Sequence, residues 1–180
     1  MASDPNEEYA VIAAALRKRF KDRSTRPALS PEFRPARNLP EDPMSEFRDL
    51  QRRGFFRRMS DKTFQDYVEK NRTASRFEAA ALAELSRLPL VGEGNEARHG
   101  VVRVTRVGFS DDQAFVTLEY HFGPSEEHEI GSFLFRRPAR GTLRYKPGRA
   151  AWVPVETLFV LSGNPDEASR EPIGQLEHHS

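Results

Sequence analysis

Residues Val101–Gly123, VVRVTRVGFSDDQAFVTLEYHFG, decide the fold. Apolar and polar side chains alternate on both sides of SDD, and Ser and Asp are typical turn residues. This pattern predicts two antiparallel strands, Val101–Val107 and Gln113–Phe122, joined by a short turn. Similar patterns beyond GPSEE, PARG and KPGR predict three more strands, at Glu129–Arg137, Thr142–Tyr145 and Ala151–Leu161.

The cross-strand register follows from the positions of the turns. With SDD and GPSE as turns, the facing pairs are Val107–Phe115, Thr105–Thr117, Arg103–Glu119, Val101–His121, Phe115–Leu134, Thr117–Ser132, Glu119–Ile130 and His121–His128. These residues share one side of the sheet. We call it the polar face, after Arg103, Thr105, Thr117, Glu119, His121, His128 and Ser132. The opposite side, the core face, carries Val102, Val104, Ala114, Val116, Leu118, Tyr120, Phe133 and Phe135.

Helical patterns precede the strands. Four helices are predicted: one from the Asp4-Pro5-Asn6-Glu7 start to Phe20, SEFRDLQRR with Ser45 as cap, SDKTFQDYVEKN with Ser60 as cap, and FEAAALAELSRL opened by a Ser75–Glu78 capping box. Helices followed by strands favour an α+β fold. We expect N-terminal helices packed on one face of a four- to five-stranded antiparallel β-meander.

A proline-rich segment, 24–44, interrupts the helices. Its five prolines argue against a regular helix and against a central strand. We expect either a wrap over the surface, anchored by Phe33 and Leu39, or a free linker. The predicted organisation is one domain, 1–163, with helices in 5–88 and the meander in 99–162. The polar segment 164–180 is predicted to be a disordered tail.

Composition limits the function classes. The 180 residues carry a net charge of +1, which gives no global attraction to nucleic acid or membrane. Cysteine is absent, so disulfides, thiolate metal sites and cysteine nucleophiles are excluded. The N-terminal residues lack the charge order of a signal peptide, and no apolar stretch is long enough to span a bilayer. We therefore expect a cytoplasmic protein without membrane contact.

The block RVGFSDDQAFVTLEY, followed by FGP, a phenylalanine-rich strand and AWVPVE, resembles an uncharacterised family of bacterial proteins. The segment DYVEKN at Asp66–Asn71 is similar to another of its motifs. The resemblance spans roughly Glu8 to Ser162 and implies a helical N-terminal half before the hairpin. Family members often carry a cysteine pair and look secreted or lipid-anchored, whereas here Phe122 and SEEHE stand in that region. The resemblance implies no activity.

The polar face is the candidate ligand site. Arg103, Thr105, Thr117, Glu119, His121, His128 and Ser132 could form a pocket floor, with Glu119 and His121 as acid–base candidates. Two imidazoles and a carboxylate could also bind a divalent metal. The ordinary interpretation is a solvated outer face with an Arg103–Glu119 ion pair, and this is the one we favour. We expect no metal and no cofactor.

Two segments combine arginines with aromatic residues: RRGFFRR (Arg52–Arg58) and Phe135–Arg149. Single-stranded nucleic acid could bind the second through Arg136–Arg149, using Arg136, Arg137, Arg140, Arg144, Lys146 and Arg149. Acidic residues dominate Asp111–Glu129, and no nucleic-acid-binding motif is present. A solvated basic face or a protein-docking patch is therefore the favoured interpretation.

The closing strand AWVPVETLFVLSG is apolar on both faces. We place Trp152, Leu158 and Val160 on one face and Val153, Val155, Phe159 and Leu161 on the other. Both faces then need a cover, which the proline-rich wrap, a ligand or a second subunit could supply. No catalytic motif is present. We therefore expect a non-enzymatic module that binds another protein or a copy of itself, with a small-molecule-binding or hydrolytic domain as the alternative.

Overall fold

The computed structural model describes residues 5–21, 26–33, 42–73, 75–76, 78–91, 99–122, 128–138 and 152–162. The helices in these ranges are α1 (Pro5–Arg19), α2 (Pro43–Arg52), α3 (Asp61–Lys70) and α4 (Ala79–Ser86). The strands are β1 (Ala28–Phe33), β2 (Ser75–Arg76), β3 (Val101–Val104), β4 (Gly108–Phe109), β5 (Gln113–His121), β6 (His128–Arg136) and β7 (Val153–Ser162). The α+β prediction is confirmed. Asp4, Leu39, the predicted strand Thr142–Tyr145 and the tail 164–180 lie outside the described residues.

The strands form one mixed sheet in the order β2-β1-β3-β5-β6-β7, with β4 also paired to β5. β1 runs parallel to β3, whereas the other pairs are antiparallel. The predicted purely antiparallel meander is therefore wrong, because two earlier segments extend the sheet. One of them is Ser75–Arg76, which forms β2 instead of a capping box, and α4 begins at Ala79 without a side-chain cap.

The other added strand, β1, comes from the proline-rich segment. Ala28 and Leu29 pair with Val101 and Val102, and the Ala28 N–H donates to the Gly100 carbonyl at 3.0 Å. The register becomes irregular between Leu29 and Phe33, where Pro31 lacks an N–H. A strand forms here despite the proline content because the irregularity accommodates Pro31 while the apolar residues on either side are buried.

Helices cover both sides of the sheet. α1 and α4 pack on the core face, where Ile12, Leu16 and Leu82 are fully buried against the strands. α2 and α3 pack on the polar face around Phe115 and Leu134. The prediction that helices lie on one face is therefore wrong. Phe115 and Leu134 give the polar face an apolar end, which the apolar sides of α2 and α3 bury.

Two helix caps differ in their agreement with the sequence. Ser60 caps α3 as predicted, and its hydroxyl accepts from the Thr63 N–H at 3.2 Å. α2 is capped by Asp42 instead of Ser45, because its carboxylate accepts from the Ser45 N–H at 3.1 Å. Pro43 then occupies the first turn, where its missing N–H costs nothing.

The end of α3 is fastened to the segment between β3 and β4. The Asn71 amide accepts from the Arg106 N–H at 2.7 Å and donates to the Arg106 carbonyl at 2.9 Å. Asp66 accepts from the Phe109 N–H at 2.7 Å. An extra residue in the β3–β4 segment makes Gly108, instead of Val107, the partner of Phe115. Side chains of α3 thus satisfy the backbone groups that this bulge removes from the ladder.

α1 is attached to the same bulge. The Glu8 carboxylate accepts from the Val107 N–H at 2.8 Å and pairs with the Arg106 guanidinium at 2.8 Å. The side chain of Glu8 is 4% exposed. The hydrogen bond that Arg106 donates to the Glu8 carboxylate raises the pKa of Arg106 above its ordinary value. Asp66 and Asn71 of DYVEKN, together with Glu8, therefore bind the RVGF segment, and these contacts have a structural role.

Candidate functional site

The predicted register of the polar face is confirmed along its central strands. Arg103 lies opposite Glu119 on β3 and β5. Between β5 and β6, the pairs are Phe115–Leu134, Thr117–Ser132, Glu119–Ile130 and His121–His128. A regular ladder fixes which side each residue faces, so the candidate residues do share one surface.

Glu119 is the buried centre of this surface. Its side chain is 3% exposed, and Oε1 lies 3.2 Å from Nε2 of His121 and 3.8 Å from Nε2 of His128. The two imidazole rings stack with their centroids 5.2 Å apart. About a quarter of each imidazole is exposed, 27% for His121 and 25% for His128. A buried carboxylate therefore faces two imidazoles that reach solvent.

The ion pair expected between Arg103 and Glu119 does not form between these two described side chains. The Glu119 carboxylate instead lies against His121 and His128, while Arg103 remains half-buried. His121 lies two residues from Glu119 on the same strand and the same face, so its short side chain reaches the buried carboxylate directly.

The other end of the polar face is closed by α3. The Tyr67 hydroxyl lies 2.8 Å from Oγ1 of Thr117, and Thr105 Oγ1 accepts from the Thr117 N–H at 3.0 Å. Thr105 is buried, and Thr117 and Ser132 are half-buried. Thr105 and Thr117 are therefore committed to packing. The part of the predicted pocket that stays available is the His121 and His128 end.

This end offers proton transfer and polar contact. A carboxylate next to an imidazole orients the ring, and imidazole is the side chain that exchanges protons near neutral pH. Within the described ranges, no group of three or more His, Cys, Asp or Glu side chains is placed to hold a metal ion. The placement of the Glu119 carboxylate beside His121 and His128 makes these three residues candidates for acid–base chemistry.

Two of the predicted basic residues are engaged within the molecule. Arg136 lies 3.9 Å from Asp112, and Arg137 pairs with Glu7 while its guanidinium lies over the Trp152 ring at 4.9 Å. Arg140, Arg144, Lys146 and Arg149 lie outside the described residues. The described part of this segment gives no surface of unengaged arginines for phosphates.

β7 is the terminal strand on one side of the sheet. Among the described residues, β6 is its only strand neighbour. Val155, Val160 and Leu161 are 45%, 36% and 66% exposed. A long edge strand with exposed apolar side chains presents unpaired backbone groups and an incompletely covered surface.

A β-bulge changes the predicted faces of β7. The register shifts where Leu134 pairs with Glu156 and Phe135 pairs with Pro154. Trp152 therefore packs into the α1 side of the core together with Phe159, not beside Leu158 as predicted. Pro154 is the signal that could have indicated the extra residue, because proline within a sheet is confined to edge strands and bulges. Glu156 was also missed as a contact residue: its carboxylate accepts from the Phe56 N–H.

The proline-rich segment does not supply the cover of β7 within the described residues. Its strand β1 is separated from β7 by β3, β5 and β6. Residues 34–41 of the segment lie outside the described residues. Within the described residues, Phe159 packs against the α1 side and Leu158 against the α2–α3 side, while Val155, Val160 and Leu161 stay exposed.

No family model, no curated protein and no solved structure matches the chain. The resemblance to a bacterial family therefore stays a prediction. No helix in the described part of the chain is both long and apolar enough to cross a membrane.

Proposed function

We propose that this chain is a non-enzymatic protein-binding module and that β7 is its docking strand. The observation that carries the proposal is the exposure of Val160 and Leu161, 36% and 66%, on the terminal strand of the sheet. A polypeptide that pairs with this edge would gain main-chain hydrogen bonds and cover both side chains. The occupant is another protein or a copy of this chain.

The usable part of this edge is Glu156–Ser162. Pro154 has no N–H to donate, and the β-bulge next to it breaks the regular spacing of the ladder. Proline and bulges are devices that protect an edge from pairing. Among the described residues they lie only at the start of β7, and no described segment pairs with the outer edge of the Val160 and Leu161 half.

The proposal is tested by Leu161→Lys, with Leu85→Lys as the matched control. Leu85 is 47% exposed on α4, away from β7. A lysine on the edge opposes strand pairing, so Leu161→Lys should abolish association while leaving thermal stability unchanged. Sedimentation equilibrium measures association between copies. If the partner is another protein, a photo-crosslinking amino acid at position 161 detects it, and the same amino acid at position 85 is the control.

Adducts at position 161 that Val160→Lys removes would support the proposal. A chain that stays monomeric at every concentration and forms no such adduct would contradict it. Equal loss of association with Leu161→Lys and Leu85→Lys would do the same.

A second candidate is a small-molecule-binding or hydrolytic domain. It is supported by the Glu119 carboxylate, which lies 3.2 Å from Nε2 of His121, a residue whose side chain is 27% exposed. Such a pair could place a general base at the surface of the sheet. This candidate needs a polar ligand at the His121–His128 end of the polar face.

A further inference from the structure

The loop between α2 and α3 has a strained and firmly held backbone. Phe56 has a φ of +50°, which is unfavourable for an aromatic residue. The Phe56 N–H donates to the carboxylate of Glu156, which lies on β7. The Gln51 side-chain amide donates to the carbonyls of Phe56 and Met59 at 3.2 and 3.1 Å. These bonds hold the unfavourable conformation in place.

The far end of the loop is tied to β5. The Gln113 side chain donates to the Arg58 carbonyl at 2.6 Å and accepts from the Ser60 N–H at 2.8 Å. Gln113 is 3% exposed, so this contact is shielded from water. The loop is therefore fixed to β5 and β7, the two strands on either side of β6.

Three arginine side chains on this fixed backbone are accessible to solvent. Arg53, Arg57 and Arg58 are exposed. Among the described residues, none of the three has an acidic side chain within ion-pair distance, whereas the neighbouring Arg52 lies 2.6 Å from Asp49. The loop thus presents three unneutralised guanidinium groups within six positions of sequence.

We propose that this arginine loop, Arg53, Arg57 and Arg58, is a docking site for an acidic segment of a partner protein. Guanidinium groups bind carboxylates through paired, charge-assisted hydrogen bonds. A backbone that is already fixed loses little conformational freedom on binding, which favours affinity. The site goes beyond the proposed function, because it assigns a partner chemistry to a surface outside β7.

The aromatic residues of the loop favour a protein over a nucleic acid. Single-stranded nucleic acids bind where exposed aromatic rings stack on bases. Phe56 is 2% exposed, and the Phe55 ring is half-buried with the Arg53 guanidinium 5.9 Å from its centroid. The loop presents charge without an open stacking surface.

The test is fluorescence anisotropy of a labelled oligoglutamate peptide titrated with the full chain at low salt. Replacing both Arg57 and Arg58 by Ala should weaken binding by about tenfold or more. The matched control replaces Lys18 and Arg72 by Ala, which removes equal charge from exposed residues of α1 and the α3 end. Equal weakening by both double variants would overturn the proposal.

Glu156→Ala separates the built loop from general charge attraction. The substitution makes the protein more positive, so charge alone predicts tighter binding, whereas loss of the Phe56 anchor predicts weaker binding. Circular dichroism shows whether the variant is folded. If it is not, the double alanine variant of Arg57 and Arg58 tests the docking site. Binding that is unchanged or tighter in folded Glu156→Ala would refute the proposal. So would tighter binding of an oligothymidylate of equal formal charge than of the peptide.

Discussion

At Gly108 the backbone of α3 lies very close to the sheet, and Gly108→Ala tests this close approach. A Cβ at this position would lie 2.4 Å from Cβ of Tyr67, 2.5 Å from the Thr63 carbonyl oxygen and 2.6 Å from the Tyr67 nitrogen. Ordinary contacts of a Cβ are 3.4–4 Å. None of the three atoms lies at the end of a flexible side chain, so the helix itself has to move.

The size of the effect follows from this displacement. Restoring ordinary contact requires α3 to retreat by about 1 Å, and a gap of that size forfeits about a quarter to a half of each affected dispersion contact. Overpacking typically costs about 1–3 kcal/mol. Alanine also lowers the conformational entropy of the unfolded chain, which offsets about 0.4–1 kcal/mol of this loss of stability. We expect Gly108→Ala to lower the free energy of unfolding by about 2 kcal/mol.

Urea denaturation followed by circular dichroism measures this change. With a slope of about 2 kcal/mol per molar urea, the midpoint should fall by about 1 M. Gly131→Ala is the matched control, because its Cβ would meet ring atoms of Phe159 and Phe133 at 2.9 and 3.0 Å. The Phe159 ring lies on the edge strand and can turn away, so we expect a smaller loss. Equal midpoints for Gly108→Ala and the unmodified chain would refute the close-approach argument.

Two further predictions concern titratable side chains. Burial raises the pKa of the Tyr120 phenol above its ordinary value of 10.0. The folded protein then holds this proton more tightly than the unfolded chain, so the stabilisation is fully present below pH 10 and is lost as pH rises through the folded-state pKa. Tyr120→Phe should flatten the alkaline loss of stability, measured by urea denaturation from about pH 9 to about 11; an unchanged slope would contradict this. For the second candidate function, Glu119→Gln and His121→Ala should each abolish ligand binding or hydrolysis while thermal stability stays nearly constant. Loss of folding instead would assign both residues a structural role.

The central hairpin was predictable because its side chains alternate regularly. A period of two fixes both the faces and the register, and Arg103, Glu119, His121 and His128 lie where the pattern placed them. The bulge near Val107 was not predictable from local sequence. Its backbone groups are satisfied by Glu8 and by residues of α3, which are distant in the chain.

The same reason explains the errors in the outer part of the sheet. β1 forms because Ala28 and Leu29 find partners on β3, although five prolines in the segment argue locally against a strand. α2 and α3 cover the polar face because Phe115 and Leu134 form an apolar patch there. Local propensity is a weak predictor where distant apolar contacts decide.

The position of the candidate site on the sheet was predictable, but the burial of its side chains was not. The register places Glu119 beside His121, yet it does not show that the carboxylate is nearly inaccessible or that Tyr67 closes the Thr117 end. Burial depends on which helix lies above the strand. That information resides in packing between α3 and β5, not in the alternation of the hairpin.

Two of the motifs that carry the family resemblance, DYVEKN and RVGF, contact each other. Asp66 and Asn71 bind the backbone of Arg106 and Phe109, so these motifs are explained by the fold alone. Because these polar side chains already bind the backbone of the same chain, a ligand is not needed to explain why they are present. By contrast, Leu161 and the arginines Arg53, Arg57 and Arg58 of the α2–α3 loop are exposed, and exposed side chains usually contribute little to stability. Side chains that contribute little to folding yet are held on rigid elements are the ones whose presence a binding partner would explain.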